Sequence, residues 1–229
     1  MKLLIIVLAL FLVACSSTVQ TTTSVPSSAV KSEQAAVLTD LEGNVTLNGQ
    51  PAHDRASLQV GDTIRTADES EATIVFFDTS RTHLWDNTTL AVQRLQDIQS
   101  REVQLKQTSG EIWTRLLLIS GVSQFEVDTP TTVAVVRGTG FWVAVRNGTT
   151  AVGVTEGKVQ LQHIEGTLVT QERILEKEQQ VVVDEEMAVK PLVHDEFIDE
   201  NLQKDEEFIK GVREKVGNET FDRLMNASN

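Results

Sequence analysis

Residues 125–145 form the stretch FEVDTPTTVAVVRGTGFWVAV, whose pattern decides the fold. Apolar and polar residues alternate on both sides of Pro130, and β-branched residues dominate, which is typical of half-buried strands. Pro130 ends a strand because proline cannot donate a hydrogen bond to a ladder. Gly138 and Gly140 interrupt the following pattern, where glycine usually marks a bulge or a close backbone approach. This stretch therefore predicts strands that are separated by turns and distorted at the glycines.

The same pattern continues in both directions from this stretch. Alternating segments such as NVTLNG, ATIVFF and TAVGVTEGKVQLQ are separated by turn signals roughly every 8–15 residues. These turn signals are Glu42-Gly43-Asn44, Asn48-Gly49, Val60-Gly61-Asp62, Asp86-Asn87, Ser109-Gly110, Asn147-Gly148 and Glu156-Gly157. Residues 91–107 have some helical periodicity, but we expect strand, turn and strand. The prediction for residues 35–193 is an all-β core, solenoid-like or sandwich-like, with a β-sandwich or jelly roll as the alternative.

The character of the chain changes after Pro191, which ends the strand pattern. Residues 194–229 form an acidic tail, within a region from Glu165 onwards that holds 17 Asp and Glu against 8 Lys and Arg. Apolar residues recur in this tail at near-helical spacing, at Ile198, Leu202, Ile209, Val212 and Val216, beside Phe197 and Phe208. Gly217 stands where a helix stop belongs, ahead of a second short helix. We expect a helical hairpin that packs on the β domain, with a free partner-binding arm as the alternative.

The N-terminus has the pattern of a bacterial lipoprotein signal. Lys2 precedes twelve apolar residues, Leu3 to Ala14, a run shorter than the roughly 20 residues that a spanning helix needs. Leu12-Val13-Ala14-Cys15 resembles a lipobox, and Cys15 is the only cysteine of the chain. We expect residues 1–14 to be a signal peptide, Cys15 to be lipidated, and the Ser/Thr-rich residues 15–34 to be a flexible tether. The protein would then be exported and lipid-anchored, at the outer membrane facing the periplasm in a Gram-negative cell, or at the outer face of the cytoplasmic membrane otherwise.

Charge and composition exclude several classes of function. The formal net charge is -13, which argues against nucleic acid as a partner because phosphate binding needs clustered Lys and Arg. The four histidines, His53, His83, His163 and His194, show no metal-ligand spacing, and no Gly-x-Ser-x-Gly elbow occurs. The Gly-x-Gly at 138–140 lacks the third glycine and the helix of a dinucleotide loop. We therefore expect a non-enzymatic protein without a cofactor.

Several phrases of the β region form a recognisable series. They include GNVTLNG (43–49), LQVGDTIRT (58–66), ATIVFFDTS (72–80) and LKQTSGEIWTRL (105–116). The most specific is VDTP at 127–130 followed by VRGTGF, and then by VTEG at 154–157. In content and order, these phrases together resemble the FecR domain family. Asp78-Thr79-Ser80 departs from the usual Asp-Gly-Ser, which suggests a differently shaped turn.

This resemblance implies an all-β fold and a role in envelope signalling. In the best-known members of the family, the domain is periplasmic, contacts the signalling domain of a TonB-dependent receptor, and acts on an extracytoplasmic sigma factor. Those members carry a cytoplasmic segment and a transmembrane helix ahead of the domain, whereas a lipoprotein signal is predicted here. Direct control of a sigma factor is therefore not expected.

The candidate contact residues are Arg137, Trp113 and Trp142. Arg137 could pair with an acid, which we favour, or bind a ligand. The tryptophans lie in alternating strands, so that a place in the core competes with a role as a sugar platform, for which Trp85 is a further candidate. His83 is expected on a strand surface.

Three functions follow from these observations. The first is a lipoprotein whose domain binds an envelope protein, for example by adding a strand at an exposed edge. The second is an accessory part of envelope signal transduction. The third is a glycan- or peptidoglycan-binding module.

Overall fold

The computed structural model describes residues 35–96, 100–184 and 186–226. The predicted signal peptide (1–14), the lipidation site Cys15 and the tether (15–34) lie outside the described residues, and they stay predictions. No helix among the described residues is both long enough and apolar enough to cross a membrane.

Two β-sheets, which share one long strand, form the body of the protein. Sheet A contains, in spatial order, β4 (Ala56–Ser57), β1 (Ala36–Glu42), β6 (Glu71–Phe76), β7 (Ser80–Leu84), β9 (Arg101–Leu116), β12 (Gly140–Arg146), β13 (Thr149–Glu156), β16 (Gln179–Val183) and β17 (Lys190–Pro191). Sheet B contains β3 (Gln50–Pro51), β2 (Val45–Leu47), β5 (Thr63–Thr66), β8 (Thr89–Gln96), β9, β10 (Val122–Asp128), β11 (Thr132–Val136), β14 (Lys158–Glu165) and β15 (Leu168–Glu176).

The chain alternates between the two sheets and advances along both of them. After every one or two strands it crosses to the other layer, so that the strand order in each sheet largely follows the sequence. The parallel pair β9–β10 is the exception among antiparallel pairings in the part of the chain that the structure describes. The predicted all-β core is confirmed, and it combines a sandwich-like layering with a solenoid-like progression.

Aromatic side chains join the two layers in the core. Phe125 of β10 in sheet B lies edge-on between two rings of sheet A, at 5.7 Å from Phe76 and 6.3 Å from Phe141. All three side chains are fully buried. Burial of a side chain of this size contributes about 1.5–3 kcal/mol, which makes this contact a main source of cohesion between the layers.

The turns of the structure lie where the sequence predicts them, with one exception. Asn48-Gly49 joins β2 to β3 and Asn147-Gly148 joins β12 to β13, and in both pairs each residue has the positive φ that a tight hairpin requires. Ser109-Gly110 was predicted to be a turn, but β9 continues through it. Gly110, at φ 83°, is the point where β9 passes from sheet B to sheet A, and a Cβ there would lie 2.2 Å from Thr88 Oγ1.

The glycine-rich part of the opening stretch has the predicted distortion. The pairing of β12 with β13 shifts register between Gly140 and Phe141, which is the expected bulge. Gly138 has a φ of 62° in the turn between β11 and β12, and a Cβ there would clash with Leu118.

The predicted helical hairpin is present, and it packs on the β structure. Helix α1 (Glu196–Val216) begins after Asp195, whose carboxylate accepts a hydrogen bond from the backbone N–H of Ile198 at 3.0 Å. Gly217, at φ 86°, ends α1, and α2 (Asn218–Asn226) follows. The start of α1 and the corner between α1 and α2 bury different side chains. Ile198 packs with Trp113 and Leu192, whereas Val212 and Phe221 pack with Leu117.

Candidate functional site

Neighbouring strands of sheet A place a row of large side chains on its outer face. His83 of β7 lies opposite Trp113 of β9, which lies opposite Trp142 of β12. Trp85 follows β7, and its ring is 5.1 Å from the imidazole of His83. The outer face of sheet A thus collects all three tryptophans of the chain.

Helix α1 covers most of this row and is fixed there by a buried ion pair. Nη2 and Nε of Arg81 lie 2.9 and 3.2 Å from Oδ1 of Asp205, and both donate to it. The indole N–H of Trp113 donates to the other carboxylate oxygen, Oδ2, at 3.0 Å. The Arg81 guanidinium also lies 5.3 Å from the centre of the Phe208 ring. Strand β7, strand β9 and the middle of α1 are therefore tied together at one carboxylate.

The buried ion pair fixes the position of α1 but adds little net stability to the fold. Burial raises the pKa of the Asp205 carboxyl, while the Arg81 charge and the hydrogen bonds from Trp113 and Arg81 oppose that rise. Removing two charges from water offsets much of their attraction, so a buried pair adds little net stability compared with apolar residues. Loss of one partner destabilises the fold, because it leaves an uncompensated charge in the interior.

His83 is buried beneath α1, which corrects the expectation of a strand surface residue. Burial, together with the positive charges of Lys204 and Arg81, lowers the pKa of His83 to about 3, so the ring is neutral at pH 7. Nε2 lies 3.0 Å from Oε2 of Glu71, and Nδ1 lies 3.0 Å from Oγ1 of Thr73. A neutral ring satisfies both contacts when Nε2–H donates to the carboxylate and Nδ1 accepts from the hydroxyl.

The three tryptophans differ in their accessibility. Trp113 is completely buried. Trp85 is half-buried, with the Phe197 ring at 5.3 Å and the Lys204 ammonium at 4.8 Å from its centre. Neither offers an open aromatic face while α1 is in place, and a sugar platform is therefore left with Trp142.

Trp142 lies in a groove of about 410 Å³ beside the start of α1. Ala144 and Ala151 line the strand side of this groove, and Phe197 and Ile198 line the helix side. At its rim, Arg146 Nη2 donates to Oε2 of Glu111 at 2.6 Å. Burial raises the pKa of Glu111, and Arg146 opposes that rise. The groove therefore has largely apolar walls, with the Glu111–Arg146 ion pair, Gln180 and Asp195 also in its lining.

Arg137 lies apart from the tryptophans, on the outer side of sheet B. It is exposed, and no described carboxylate lies within ion-pair distance, so the favoured acid pair does not form in the described part of the chain. Arg137 lines a shallow groove of about 470 Å³ with Val135, Gln160 and Ile174. The predicted contact residues therefore belong to two separate surfaces, and their role in binding stays a prediction.

The edges of the sheets differ sharply in length. Within the described residues, β4 and β17 at the edges of sheet A, and β3 at one edge of sheet B, have two residues each. The other edge of sheet B is β15, which has nine residues and pairs on one side with β14. Very short edge strands are a common protection against pairing with other chains, and β15 lacks that protection.

Strand β15 also carries much of the exposed apolar surface. Leu168, Val169 and Ile174 are 69%, 51% and 63% exposed. Ile174 stands between Glu172 and Glu176 on the outer face of sheet B, because alternate residues of a strand point to the same side. An extended partner could combine backbone pairing at this edge with side-chain contacts on that face.

Among the described residues, no group of three His, Cys, Asp or Glu side chains converges to hold a metal ion. The polar clusters found here, around Asp205 and His83, are buried and packed against protein. They position α1, and they present no group to a substrate.

Two features were missed in the sequence. Asp205 falls within the apolar stripe of α1, and a lone acid at such a position signals a buried partner. The segment LVTQERILE at 168–176 has exposed apolar residues, but only the sheet order identifies it as an edge.

Comparison with known proteins supports the motif analysis. Residues 62–160 match the family described as FecR protein, which confirms the resemblance that the motifs predicted. Two solved structures of candidate anti-sigma factors from Parabacteroides distasonis are similar to it, at 20% and 21% identity and TM-scores of 0.45 and 0.44. Each similarity covers 57% of this chain and spans 59% of the other. No curated protein matched.

Proposed function

We propose that this is a non-enzymatic, lipid-anchored envelope protein whose FecR domain binds a protein partner at strand β15. The observation that carries the proposal is the free nine-residue edge, since the other sheet edges of the described residues have two residues each. A partner strand would satisfy the remaining unpaired backbone groups of β15, whose last N–H, that of Glu176, already donates to Gln179 Oε1 at 2.9 Å. It would also cover Leu168, Val169 and Ile174.

The anchor in this proposal is Cys15. The run of apolar residues, the small residue Ala14 and the following Ser/Thr-rich stretch support lipidation at that thiol. Two or three acyl chains hold a protein firmly at a bilayer, since each buried CH₂ contributes roughly 0.8 kcal/mol. The domain would then face its partner from a tether on the membrane surface.

A role in envelope signalling is the second candidate, and the FecR match favours it. In that case the partner at β15 is a receptor or a separate membrane-spanning regulator, and the lipoprotein is an accessory component. Glycan binding has less support, because α1 covers Trp85 and Trp113 and leaves Trp142 alone in its groove.

The proposal is tested by photo-crosslinking in living cells. A photoreactive amino acid replaces Val169 on β15, and the matched control replaces Val60, an exposed valine (59%) in the turn before β5. We expect one discrete adduct with an envelope protein from position 169, none from position 60, and none when Cys15→Ser removes the anchor. The same adducts at both positions, or no adduct at 169, would contradict the proposal.

A further inference from the structure

We infer that the occupant of β15 is an extended segment of a different protein, with Lys or Arg on both sides of an apolar residue along one face. This inference rests on the proposed function and specifies the chemistry of the partner. It follows from which side chains stand beside the free edge and from how they would meet a second strand.

The outer face of β15 presents an acidic–apolar–acidic row. Glu172, Ile174 and Glu176 point to the same side and are exposed. Their neighbours across the strand pair are Gln162, Gln160 and Lys158 of β14.

The two glutamates of this row differ in their existing partners. Glu172 accepts a hydrogen bond from the neutral Gln162 amide at 3.0 Å, so its charge has no counterion on that side. Glu176 accepts from the Lys158 ammonium at 2.6 Å, which lowers the pKa of its carboxyl and keeps it ionised. Opposite charges on neighbouring strands stabilise a pair, and like charges destabilise it. An incoming strand with basic residues beside the glutamates and an apolar residue beside Ile174 is therefore favoured.

A second copy of this chain is a poor occupant of the same edge. Symmetric dimers pair a strand with itself antiparallel about a two-fold axis, so that each residue meets a fixed counterpart. A register centred on Glu172, Arg173 or Glu176 sets that charged residue opposite its own copy. A register centred on Ile174 sets Glu172 opposite Glu176, and one centred on Leu175 sets Arg173 opposite Lys177 and Glu172 opposite Glu178. Each of these arrangements brings like charges together, which opposes self-pairing.

A bulge limits the use of the remaining length of β15. The pairing with β14 shifts register between His163 and Ile164, opposite the start of β15, and the regular part begins at Gln171. Bulges twist an edge and interrupt the row of free backbone groups. Self-pairing centred at or before Gln171 would have to cross this irregularity twice, whereas a short hetero-strand needs only the regular part, residues 171–176.

The test uses a synthetic peptide pair and the full chain in detergent micelles. The probe is fluorescein-labelled Thr-Lys-Thr-Ile-Thr-Lys-Thr, and its counterpart has Glu at both Lys positions. Binding is measured by fluorescence anisotropy for the wild type, for the double variant Glu172→Lys/Glu176→Lys, and for the control Glu206→Lys/Glu207→Lys. The control makes the same change in net charge at exposed sites on α1.

The wild type should bind the Lys peptide about tenfold or more tightly than the Glu peptide, because two charge contacts change sign. The preference should reverse in the β15 variant and persist in the α1 control. Sedimentation of the wild type should show single copies of the chain. Equal binding of both peptides, no binding of the Lys peptide, or a dimer that Val169→Pro abolishes would overturn the inference. A cellular adduct at position 169 without any charge preference would leave the proposed function standing and remove this inference alone.

Discussion

Trp113 and Asp205 lie 92 residues apart in the sequence, and the indole N–H of the first donates to the carboxylate of the second over 3.0 Å. Arg81 reaches the same carboxylate from the neighbouring strand. Three elements that are distant in the chain thus meet at one buried anion. This contact sets where α1 lies on sheet A, and its energetics can be measured directly.

Loss of the carboxylate charge should destabilise the fold strongly. In Asp205→Asn, the Arg81 guanidinium stays buried without its counter-charge, and we expect the free energy of unfolding to fall by about 3–5 kcal/mol. Urea denaturation followed by circular dichroism measures this loss. Glu206→Gln, at the next and exposed position, is the control, and it should stay within about 0.5 kcal/mol of the wild type. A loss of similar size in both variants would contradict the prediction.

Replacing both charges should recover part of that stability, because the buried indole N–H of Trp113 still loses its acceptor, at a cost of about 1–3 kcal/mol. In Arg81→Met/Asp205→Leu, the desolvation penalty of both ions disappears and apolar contacts replace them. Such exchanges are often neutral or stabilising by about 1–4 kcal/mol relative to the ion pair. A double-mutant cycle in urea, with Arg81→Met and Asp205→Leu as the single variants, gives the coupling energy. If the double variant is as unstable as the less stable single variant, the ion pair contributes net stability to the fold and does not only position α1.

The buried neutral ring of His83 should make stability depend on pH. Its pKa is about 3 in the folded protein and near 6.5 in the unfolded chain, so the unfolded state binds the proton first as the pH falls. The free energy of unfolding should therefore decrease below pH 6.5, by about 2 kcal/mol at pH 5. Glu71 on β6, Arg81 on β7 and Lys204 on α1 face this ring.

His83→Gln removes the titrating ring and retains a hydrogen-bonding side chain. Urea midpoints at pH 7.5 and pH 5 should differ less in this variant than in the wild type. His53→Gln, in an exposed turn, should retain the wild-type difference between the two midpoints. If both variants behave alike, His83 is not the source of the pH dependence.

Close contact at Gly153 should make that position intolerant of a side chain. A Cβ there would lie 2.2 Å from Trp142 Nε1 and 2.9 Å from Leu192. Gly153→Val should therefore lower the free energy of unfolding by about 1–3 kcal/mol through overpacking. In contrast, a Cβ at Gly211 of α1 meets nothing within 4 Å, and Gly211→Ala should add about 0.5–1 kcal/mol. Thermal denaturation of both variants measures the two effects. Equal shifts in melting temperature would contradict the assignment of overpacking to Gly153 and of helix propensity to Gly211.

Local chemistry made most of the fold predictable from the sequence. The Asn-Gly pairs at 48–49 and 147–148 fix tight hairpins by themselves, and the apolar spacing of residues 198–216 suffices for a helix. Gly110 was wrongly predicted to lie in a turn, because a glycine that bends a strand and a glycine that ends one have the same local sequence pattern. The burial of His83 depends on a helix that begins more than 100 residues later, so no nearby residue announces it.

The binding surfaces were less predictable for the same reason. Arg137 and Trp142 both lie in the opening stretch of 21 residues, yet the chain changes sheets between them and sends them to different surfaces. The edge at β15 is a property of the sheet order, which is set by pairings across the whole domain.

The single strand β9 has a consequence for how this domain comes apart. Its first half pairs with β8 and β10 in one layer, and its second half pairs with β7 and β12 in the other. Neither layer can lose its central strand without opening the other. Amide hydrogens on both sides of Gly110 should therefore exchange with solvent in one common event, with one shared opening free energy, and the two sheets should behave as a single cooperative unit.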